Sequence, residues 1–284
     1  MSSATAGHYV LGTQGLALLR RWLLADSAEL EARVDELVRL AGAPDEGPMA
    51  LRFDVPLLEP GPGYARWSTS YDAAPNPLIR VEEPVVRAML DTASPGVALD
   101  AACGTGRHAA YLRARGHEVI GVDASAEMLE HARKRVPDAD LRIGDLEALP
   151  LGDASVDLAV CALALTHLRG LAAPVAELSR VLRPGGRLIL SDLHPAMTLL
   201  GGTGFFVGAD GAAGNVRSFH HGHGRYHAAF RQADLEVMDC VEPQLEEEDL
   251  AALSGGLVAF AEEAFRSAWV GIPNALVWEL LRRG

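Results

Sequence analysis

A glycine-containing turn near residue 100 is the first place where this sequence could bind a ligand. The short apolar run Val97–Leu99 ends at Asp100 and is followed by Gly104 and Gly106, a spacing that lets the backbone turn and approach a ligand without a Cβ clash. With Ala109, the two glycines also fit the dinucleotide pattern G-x-G-x-x-A. Similar strand–turn–helix segments occur without any ligand, so this segment alone leaves both interpretations open.

Two acidic residues further along the chain favour a nucleoside ligand. Asp123 closes a second apolar run, seventeen residues after Gly106, where a carboxylate can accept hydrogen bonds from both ribose hydroxyls. Asp145, within Gly144–Pro150, lies just past a third run, where it could accept a hydrogen bond from an adenine amino group. The alternative for Asp145 is a solvated turn residue. NAD-dependent enzymes share the first of these acids but do not usually share the second.

Histidines are the candidates for a general base. His167 follows the fourth apolar run, at the sheet edge where ligands bind, and either acts as a base or only shapes the pocket. His194 precedes a proline and is expected to be structural. In the cluster His220–His227, either His221 or His223 could remove a proton from a nucleophile; the alternative is an exposed lid without chemistry. We expect no metal, because no cysteine or carboxylate lies at short spacing and because glycines break the segment instead of a helix aligning ligands at i and i+4.

The elements that would position these residues alternate between strand and helix. The predicted strands are Val97–Leu99, Val119–Val122, Leu141–Ile143, Val156–Ala162 and Leu188–Leu190, and the predicted helices are Arg107–Arg115, a helix capped by Ser125 and ending near Arg135, and Val175–Leu182. Short loops between alternating strands and helices predict parallel, right-handed βαβ units in a doubly wound sheet.

Outside this core the patterns are weaker. The predictions are a helix over Tyr9–Leu40 with a capping box at Asp26 and Glu29, a connector over Gly42–Gly63, a helical stretch from Tyr64 to Tyr71, a break at Pro75–Pro77, a helix over Val81–Leu90, irregular structure over Gly201–Gly214, a strand over Leu235–Val241, helices within Glu247–Trp269 and a final strand over Ala275–Leu280. We expect an N-terminal helical extension at residues 1–60, a binding core with an entry lid at 61–195, and a substrate-covering segment with the last strands at 196–284.

Taken in order, five segments resemble the motifs of class I S-adenosylmethionine (SAM)-dependent methyltransferases. They are Asp100–Gly106, Val122–Met128, Gly144–Pro150, Ser155–His167 and Arg183–Ser191. Upstream, Tyr64-Ala65-Arg66-Trp67 and Tyr71-Asp72 are similar to the entry segment of the small-molecule branch, which folds over the cofactor. The resemblance implies an α/β fold with a doubly wound, mostly parallel, seven-stranded Rossmann-like sheet, an N-terminal helical extension and a lid inserted after strand five.

The resemblance also assigns roles to matching residues. It implies that Asp100 and the turn Gly104–Gly106, with Thr105, hold the methionine part of SAM, that Asp123 binds the ribose, and that Met128 covers an adenine face. It implies that Asp145 and Leu146 bind the adenine edge and that the Ala162 carbonyl accepts from the amino group. The further cofactor contacts are Ala102, Ala124, Tyr64, Tyr71 and His167. Ala102 stands where many relatives carry glycine.

The predicted activity is methyl transfer from SAM to an oxygen or nitrogen of a small molecule. SAM carries its own leaving group, so alignment and exclusion of water are the main requirements, and a general base is optional. The alternatives are a SAM-binding protein of the same fold without methyl transfer, serving as a scaffold or catalysing a cyclisation or rearrangement, and an NAD(P)-dependent oxidoreductase.

The net charge, the apolar runs and the cysteine spacing restrict the possible partners of this chain. A net charge of -13 would repel nucleic acid, and no apolar run is long enough to cross a membrane. The three cysteines lack the spacing of a zinc site or disulfide framework and are expected to be free and buried. We therefore expect a cytoplasmic protein with a small-molecule substrate. The sequence leaves the oligomeric state open, a homodimer included.

Overall fold

The computed structural model describes residues 3–43, 46–72, 76–252 and 256–284. Contacts divide the chain into two compact units: a smaller one of residues 1–56, 212–214 and 244–272, and a larger one of residues 57–211, 215–243 and 273–284. The expected third segment, 196–284, is thus shared between the units, because the chain enters the smaller unit and returns.

The secondary structure follows the alternating pattern through the middle of the chain. In chain order the elements are β1 (Ser3–Thr5), α1 (Ala6–Arg21), α2 (Ser27–Gly42), β2 (Arg52–Asp54), β3 (Leu57–Leu58), α3 (Pro60–Trp67), α4 (Pro77–Leu90), β4 (Val97–Ala101), α5 (Arg107–Ala114), β5 (Glu118–Asp123), α6 (Ala126–Arg135), β6 (Asp140–Ile143), β7 (Val156–Ala162), α7 (Ala172–Val181), β8 (Leu182–Leu193), α8 (Pro195–Leu199), β9 (Gly204–Val207), β10 (Ala213–Val216), α9 (His223–Gln232), β11 (Leu235–Val241), α10 (Glu247–Ala252), α11 (Gly256–Phe260), α12 (Glu262–Trp269) and β12 (Ala275–Arg282), with 3-10 turns at Gly47–Ala50 and Leu165–His167.

The larger unit contains the predicted seven-stranded sheet. Its strand order is β11-β12-β8-β7-β4-β5-β6. Strands β8, β7, β4, β5 and β6 are parallel, whereas β12 runs antiparallel to both β8 and β11. The order reverses between β4 and β7, so the carboxyl ends of these strands form the switch point at which open α/β sheets bind ligands. The predicted doubly wound, mostly parallel fold is confirmed.

Both faces of this sheet are covered. Alternate residues of β4 and β7 point to opposite faces, as the two-residue repeat of a strand requires. One face packs on α7 and α9, with Tyr226 and Phe230 at its centre, and the other packs on α4 and α5 through Leu90 and Leu112. Burial on both faces explains why the strands read as continuous apolar runs rather than as alternating ones.

The smaller unit has its own core. Helices α1 and α2 enclose Val10 and Leu40, which cluster with Met49 and Phe265. The ring of Tyr9 stacks on Trp269 with centroids 6.5 Å apart. In the described ranges, no helix combines the length and the apolar character needed to span a bilayer.

Several local predictions are corrected by the structure. The single helix predicted over Tyr9–Leu40 is two helices, because residues 22–26 turn before Asp26 caps α2 by accepting from the Glu29 N–H. The Gly201–Gly214 stretch contains β9 and the start of β10, so irregular structure there is wrong. The connector likewise contains β2, β3 and the start of α3. Cys240 is exposed, whereas Cys103 and Cys161 are buried as expected.

Two further predictions fall partly outside the described residues. The predicted break begins at Pro75, which is outside them, while α4 already starts at Pro77. Within the predicted helical stretch Glu247–Trp269, residues 253–255 are also outside, and the described part forms α10, α11 and α12.

Candidate functional site

The turn between β4 and α5 owes its shape to three residues in the left-handed backbone region. Ala102, Gly104 and Gly106 have φ values of 56°, 53° and 82°. A Cβ on Gly106 would meet the Ala132 Cβ at 3.2 Å, so this glycine lets α5 approach α6. A Cβ on Gly104 would meet nothing within 4 Å. Gly104 therefore faces open space, as a residue against which a ligand packs must do.

Asp100 fastens this turn to the sheet. It is 2% exposed, and its Oδ2 accepts a hydrogen bond from the Ala109 N–H at 2.7 Å. Burial raises the pKa of this carboxyl to about 6, against the lowering effect of that N–H and of neighbouring positive charge. Asp100 thus holds the start of α5 against the end of β4, a positioning role beside the predicted contact with a ligand.

Asp123 joins the ends of two neighbouring strands. Its Oδ2 accepts from the Gly104 N–H at 2.7 Å and its Oδ1 accepts from the Ser125 N–H at 2.8 Å. Burial raises the pKa of this carboxyl, and the backbone donors oppose the rise. Because each carboxylate oxygen can accept a second hydrogen bond, Asp123 can hold the glycine turn and still bind a pair of hydroxyls.

The residues predicted to bind adenine lie along the same edge of the sheet, but they differ in burial and in their hydrogen bonds. Met128 is buried, with its N–H bonded to the Ser125 hydroxyl at the start of α6. Asp145 is exposed, and its Oδ1 accepts from the Glu147 N–H at 2.8 Å, which is a turn of the kind that the alternative interpretation expected. Leu146 is partly buried against the core, and Ala162 is the last residue of β7. Ala124, next to Asp123, is exposed.

The aromatic entry segment lies beside the glycine turn. Tyr64 and Trp67 stack with ring centroids 5.7 Å apart, and the edge of Tyr71 packs on Trp67 at 5.0 Å. Asp72 then accepts hydrogen bonds from the Thr105 hydroxyl at 3.2 Å and from the Arg135 guanidinium at 2.7 Å. Thr105 belongs to the glycine turn, so this segment is fastened to the site. That it closes when cofactor binds stays a prediction.

His167 is buried and bonded at both ring nitrogens. Its Nδ1 lies 2.7 Å from the Arg217 carbonyl oxygen, and its Nε2 lies 2.8 Å from the Tyr64 hydroxyl. A carbonyl can only accept, so Nδ1 bears the proton, and the neutral ring accepts at Nε2 from Tyr64. Burial lowers the pKa of this histidine, which favours the neutral form. The structure thus brings His167 and Tyr64, 103 residues apart, into direct contact.

The other two candidate bases lie in different places. His221 is buried, and its Nε2–H donates to the Leu168 carbonyl at 2.8 Å. This bond connects His221 to the turn that carries His167. Burial lowers the pKa of His221. His223 is partly exposed at the start of α9 and donates to Glu242 at 2.6 Å. A catalytic role for either residue stays a prediction.

One of the two reasons for expecting no metal is wrong, because the segment from His223 forms a helix, and the other is true only along the sequence. Glu242, just after β11, lies 3.0 Å from His194 Nε2 and 2.6 Å from His223 Nε2, and α9 places His223 and His227 at i and i+4. The ligand atoms of His194, His223 and Glu242 lie within 4.8 Å of one another. However, the Ala196 N–H donates to His194 Nδ1 at 3.1 Å, so Nε2 carries the proton and donates to Glu242. A metal on that nitrogen would have to break both bonds.

Asp192 was missed in the sequence. It lies one residue before the end of strand β8, is 0% exposed, and accepts from the Tyr226 hydroxyl at 2.6 Å and from the Leu193 N–H at 2.9 Å. Burial raises the pKa of this carboxyl to about 7, against the lowering effect of these donors. The signal was present, because Asp192 follows an apolar strand as Asp100 and Asp123 do.

Comparison with known proteins places this site in context. Residues 99–190 match the family model described as a methyltransferase domain. A curated relative, malonyl-[acyl-carrier protein] O-methyltransferase of Yersinia pestis, is 38% identical over 131 residues, which are 46% of this chain and 48% of that protein. The chain therefore spans about half the length of the curated relatives it matches.

Solved structures share the fold. A SAM-dependent methyltransferase from Mesorhizobium loti aligns with a TM-score of 0.54 and 23% identity over 71% of this chain and 98% of that one. Geranyl diphosphate C-methyltransferase from Streptomyces coelicolor A3(2), solved with Mg²⁺, geranyl diphosphate and S-adenosyl-L-homocysteine, aligns with a TM-score of 0.53 and 17% identity over 72% of this chain and 80% of that one. At these identities the likeness concerns the fold.

Proposed function

We propose that this chain is a class I SAM-dependent methyltransferase, as the match of residues 99–190 to the methyltransferase-domain model supports, and that it transfers the methyl group of SAM to an oxygen or nitrogen of a small molecule. The proposal rests on one observation at the ends of two adjacent strands. There the Asp123 carboxylate accepts from the Gly104 N–H, and Gly104 faces open space. The family match concerns methyltransferases, which favours this proposal over the NAD(P)-dependent alternative.

The donor set fits the cofactor. The two Asp123 oxygens accept from the Gly104 and Ser125 N–H groups, and a carboxylate has further acceptor capacity for the two ribose hydroxyls. Open space at Gly104 leaves room for the methionine part beside the turn. Asp145, Leu146, Met128 and the Ala162 carbonyl are the proposed adenine contacts, and Tyr64 and Tyr71 the proposed cover.

Methyl transfer from SAM requires little from the protein beyond holding the reacting groups in position. When bound, SAM supplies a methyl group on a sulfonium, an electrophile with its own leaving group. Asp100 and Asp123 keep the glycine turn against the sheet, so the geometry of the site does not have to form during the reaction. The fastening of Asp72 to Thr105 and Arg135 keeps the aromatic segment over the turn and limits access of water.

A small molecule is the proposed acceptor class. The net charge of -13 disfavours nucleic acid as a partner. The Yersinia relative is named for malonyl-[acyl-carrier protein], but its match covers only 48% of that protein, so its acceptor is one candidate to be tested rather than a property of this chain.

Two measurements test the proposal. Isothermal titration should show binding of SAM and S-adenosylhomocysteine but not of NAD or NADP, and label from methyl-labelled SAM should appear in a small-molecule product. Binding of NAD in place of SAM would contradict the cofactor assignment. Tight SAM binding without transfer to any acceptor would instead support a SAM-binding protein of the same fold that does not methylate.

A further inference from the structure

A chain of two hydrogen bonds crosses the candidate site and ends on the backbone. The Tyr64 hydroxyl donates to His167 Nε2 at 2.8 Å, and His167 Nδ1–H donates to the Arg217 carbonyl at 2.7 Å. The direction of both protons follows from the carbonyl, which can only accept. His167 is 8% exposed and its basic nitrogen is occupied by the Tyr64 hydroxyl, so a proton that reaches this nitrogen along the chain passes through the Tyr64 oxygen.

The hydroxyl of Tyr64 lies at the carboxyl edge of the sheet, because it is bonded to His167 in the 3-10 turn that follows β7. Burial raises the pKa of this hydroxyl, and so do the carboxyl groups of Asp123, at the end of β5, and of Asp192, near the end of β8. In the sheet order these two strands flank β7 and β4. Because the proton of Tyr64 points to His167, the lone pairs of its oxygen remain available to accept a hydrogen bond from a group bound there.

We propose that Tyr64 and His167 form a proton relay that deprotonates the methyl acceptor, and that the acceptor is therefore a hydroxyl or amine that carries a proton, not a carboxylate. This rests on the proposed methyl transfer and names its substrate class. A carboxylate has no proton to give up at neutral pH and gains nothing from a relay.

The charged groups around Tyr64 and His167 favour a hydroxyl or amine acceptor over a carboxylate. The carboxylate of Asp123 would repel an anionic acceptor, whereas burial favours the neutral form of Asp192. Two nearby arginines already have acidic partners: Arg217 pairs with Glu59 at 2.7 Å and Arg107 with Glu82 at 3.0 Å. Tyr71 is the other titratable group that affects Tyr64, and Gly204 of β9, which lies against the His167 ring, adds no charge.

The atoms and charges of the step balance. The acceptor atom forms a bond to the methyl carbon, and the carbon–sulfur bond breaks with its electron pair remaining on sulfur. The acceptor proton moves to the Tyr64 oxygen while the Tyr64 proton moves to His167 Nε2, which leaves an imidazolium bonded to the Arg217 carbonyl. The proton returns to solvent through Tyr64 when the product leaves.

Nitrogen NMR of histidine-labelled protein with bound S-adenosylhomocysteine tests the arrangement without any acceptor. At neutral pH, His167 should be neutral with its proton on Nδ1. In Tyr64→Phe the Nε2 resonance should move to the position of an unbonded nitrogen while Nδ1 keeps its proton. A charged His167, or a proton on Nε2, would overturn the relay.

The acceptor class is tested by the chemistry of the product. The protein is incubated with methyl-labelled SAM and either a deproteinised bacterial extract or malonyl-acyl carrier protein as the carboxylate probe. Label in ethers or amines that survive mild alkali supports the inference. Label released by alkali as methanol, which identifies a methyl ester, overturns the inference while leaving the proposed methyl transfer intact. No label with either probe, despite SAM binding, contradicts the proposed methyl transfer and the inference with it.

A pair of tyrosine variants separates proton transfer from structure. Tyr64→Phe keeps the ring that would cover the cofactor and should lower kcat on the labelled acceptor by about 10²-fold, a larger factor than any loss of S-adenosylhomocysteine affinity. It should also abolish the fall in kcat at acidic pH that protonation of His167 causes in the native protein. Tyr111→Phe is the control, because its hydroxyl donates to Asp91 outside the site. A Tyr64→Phe variant that loses affinity and rate together, with its pH profile unchanged, would make Tyr64 structural.

Discussion

The two halves of the candidate site are held together by contacts of very different sequence range. In the glycine-turn half, Asp100 bonds to Ala109 nine residues away and Asp123 to Gly104 nineteen residues away. In the histidine half, His167 bonds across 50 residues to Arg217 and across 103 residues to Tyr64. The first half is built by the consecutive elements β4, α5 and β5. The second half depends on segments far apart in the sequence, which come together only when the whole larger unit has folded.

This difference predicts how each half responds to change. Substitutions in the glycine-turn half should act mainly on cofactor affinity, because its geometry is local. Substitutions in the histidine half should act on stability or on turnover, because its bonds join separate elements.

The largest expected effect is a pH dependence of stability that originates at Asp192 in the histidine half. Burial raises the pKa of this carboxyl to about 7 in the folded protein, above its unfolded value of about 4. The folded state therefore retains a proton that the unfolded state releases, so this contribution is complete below about pH 4 and is lost as pH rises towards 7. The loss should reach about 4 kcal/mol.

Urea unfolding between these pH values measures this loss in the native protein and in Asp192→Asn. The variant, which cannot ionise, should show a flatter curve. Asp140→Asn is the control, since Asp140 is exposed and pairs with Arg142. Identical slopes for the native protein and Asp192→Asn would show that Asp192 is ionised throughout this range.

The next largest effect concerns Asp123 in the glycine-turn half. Asp123→Ala should weaken S-adenosylhomocysteine binding by about 1.5 to 3 kcal/mol, because a buried, charged hydrogen-bond acceptor is removed. Isothermal titration measures the change, and Asp140→Ala on the adjacent strand should leave the affinity near that of the native protein. Unchanged affinity in Asp123→Ala would remove the ribose assignment.

A smaller effect separates the two clustered histidines. His221→Ala should lower the free energy of unfolding by about 1 to 2 kcal/mol, because the Leu168 carbonyl loses its donor. His223→Ala should change it by no more than about 0.5 kcal/mol, because that side chain is partly exposed. Thermal or urea unfolding provides the comparison. A fall in turnover of about 10²-fold in His223→Ala, with affinity and stability intact, would return the general-base role to the cluster.

The smallest expected effect is at Ala102, which stands where many of the methyltransferases that the glycine turn resembles carry glycine. With φ at 56° its Cβ is strained, so Ala102→Gly should stabilise the protein by about 0.5 to 1 kcal/mol. Gly106→Ala is the opposing comparison, because there a Cβ would meet Ala132 at 3.2 Å and stability should fall. A destabilised Ala102→Gly variant would mean that the alanine methyl makes packing contacts that outweigh its strain.

Much of the sheet could be predicted from the sequence, with β7 and β11 matching their predicted bounds. A strand that is buried on both faces must be a continuous apolar run. A capping residue such as Ser125 bonds the N–H of a residue three positions later and so marks the start of a helix. The predictions failed where signals were short or rich in glycine, at β9 and at the start of α9.

The sequence by itself determined the parallel core, the glycine turn and the acids that end its strands, because those features depend on residues close together in the chain. Only the tertiary structure decided the roles open to the histidines. Whether an imidazole nitrogen is a donor, an acceptor or already occupied depends on its partners, and those of His167, His194 and His221 are Tyr64 and Arg217, Glu242, and Leu168. These partners lie 48 to 103 residues away, where no spacing pattern in the sequence can reveal them.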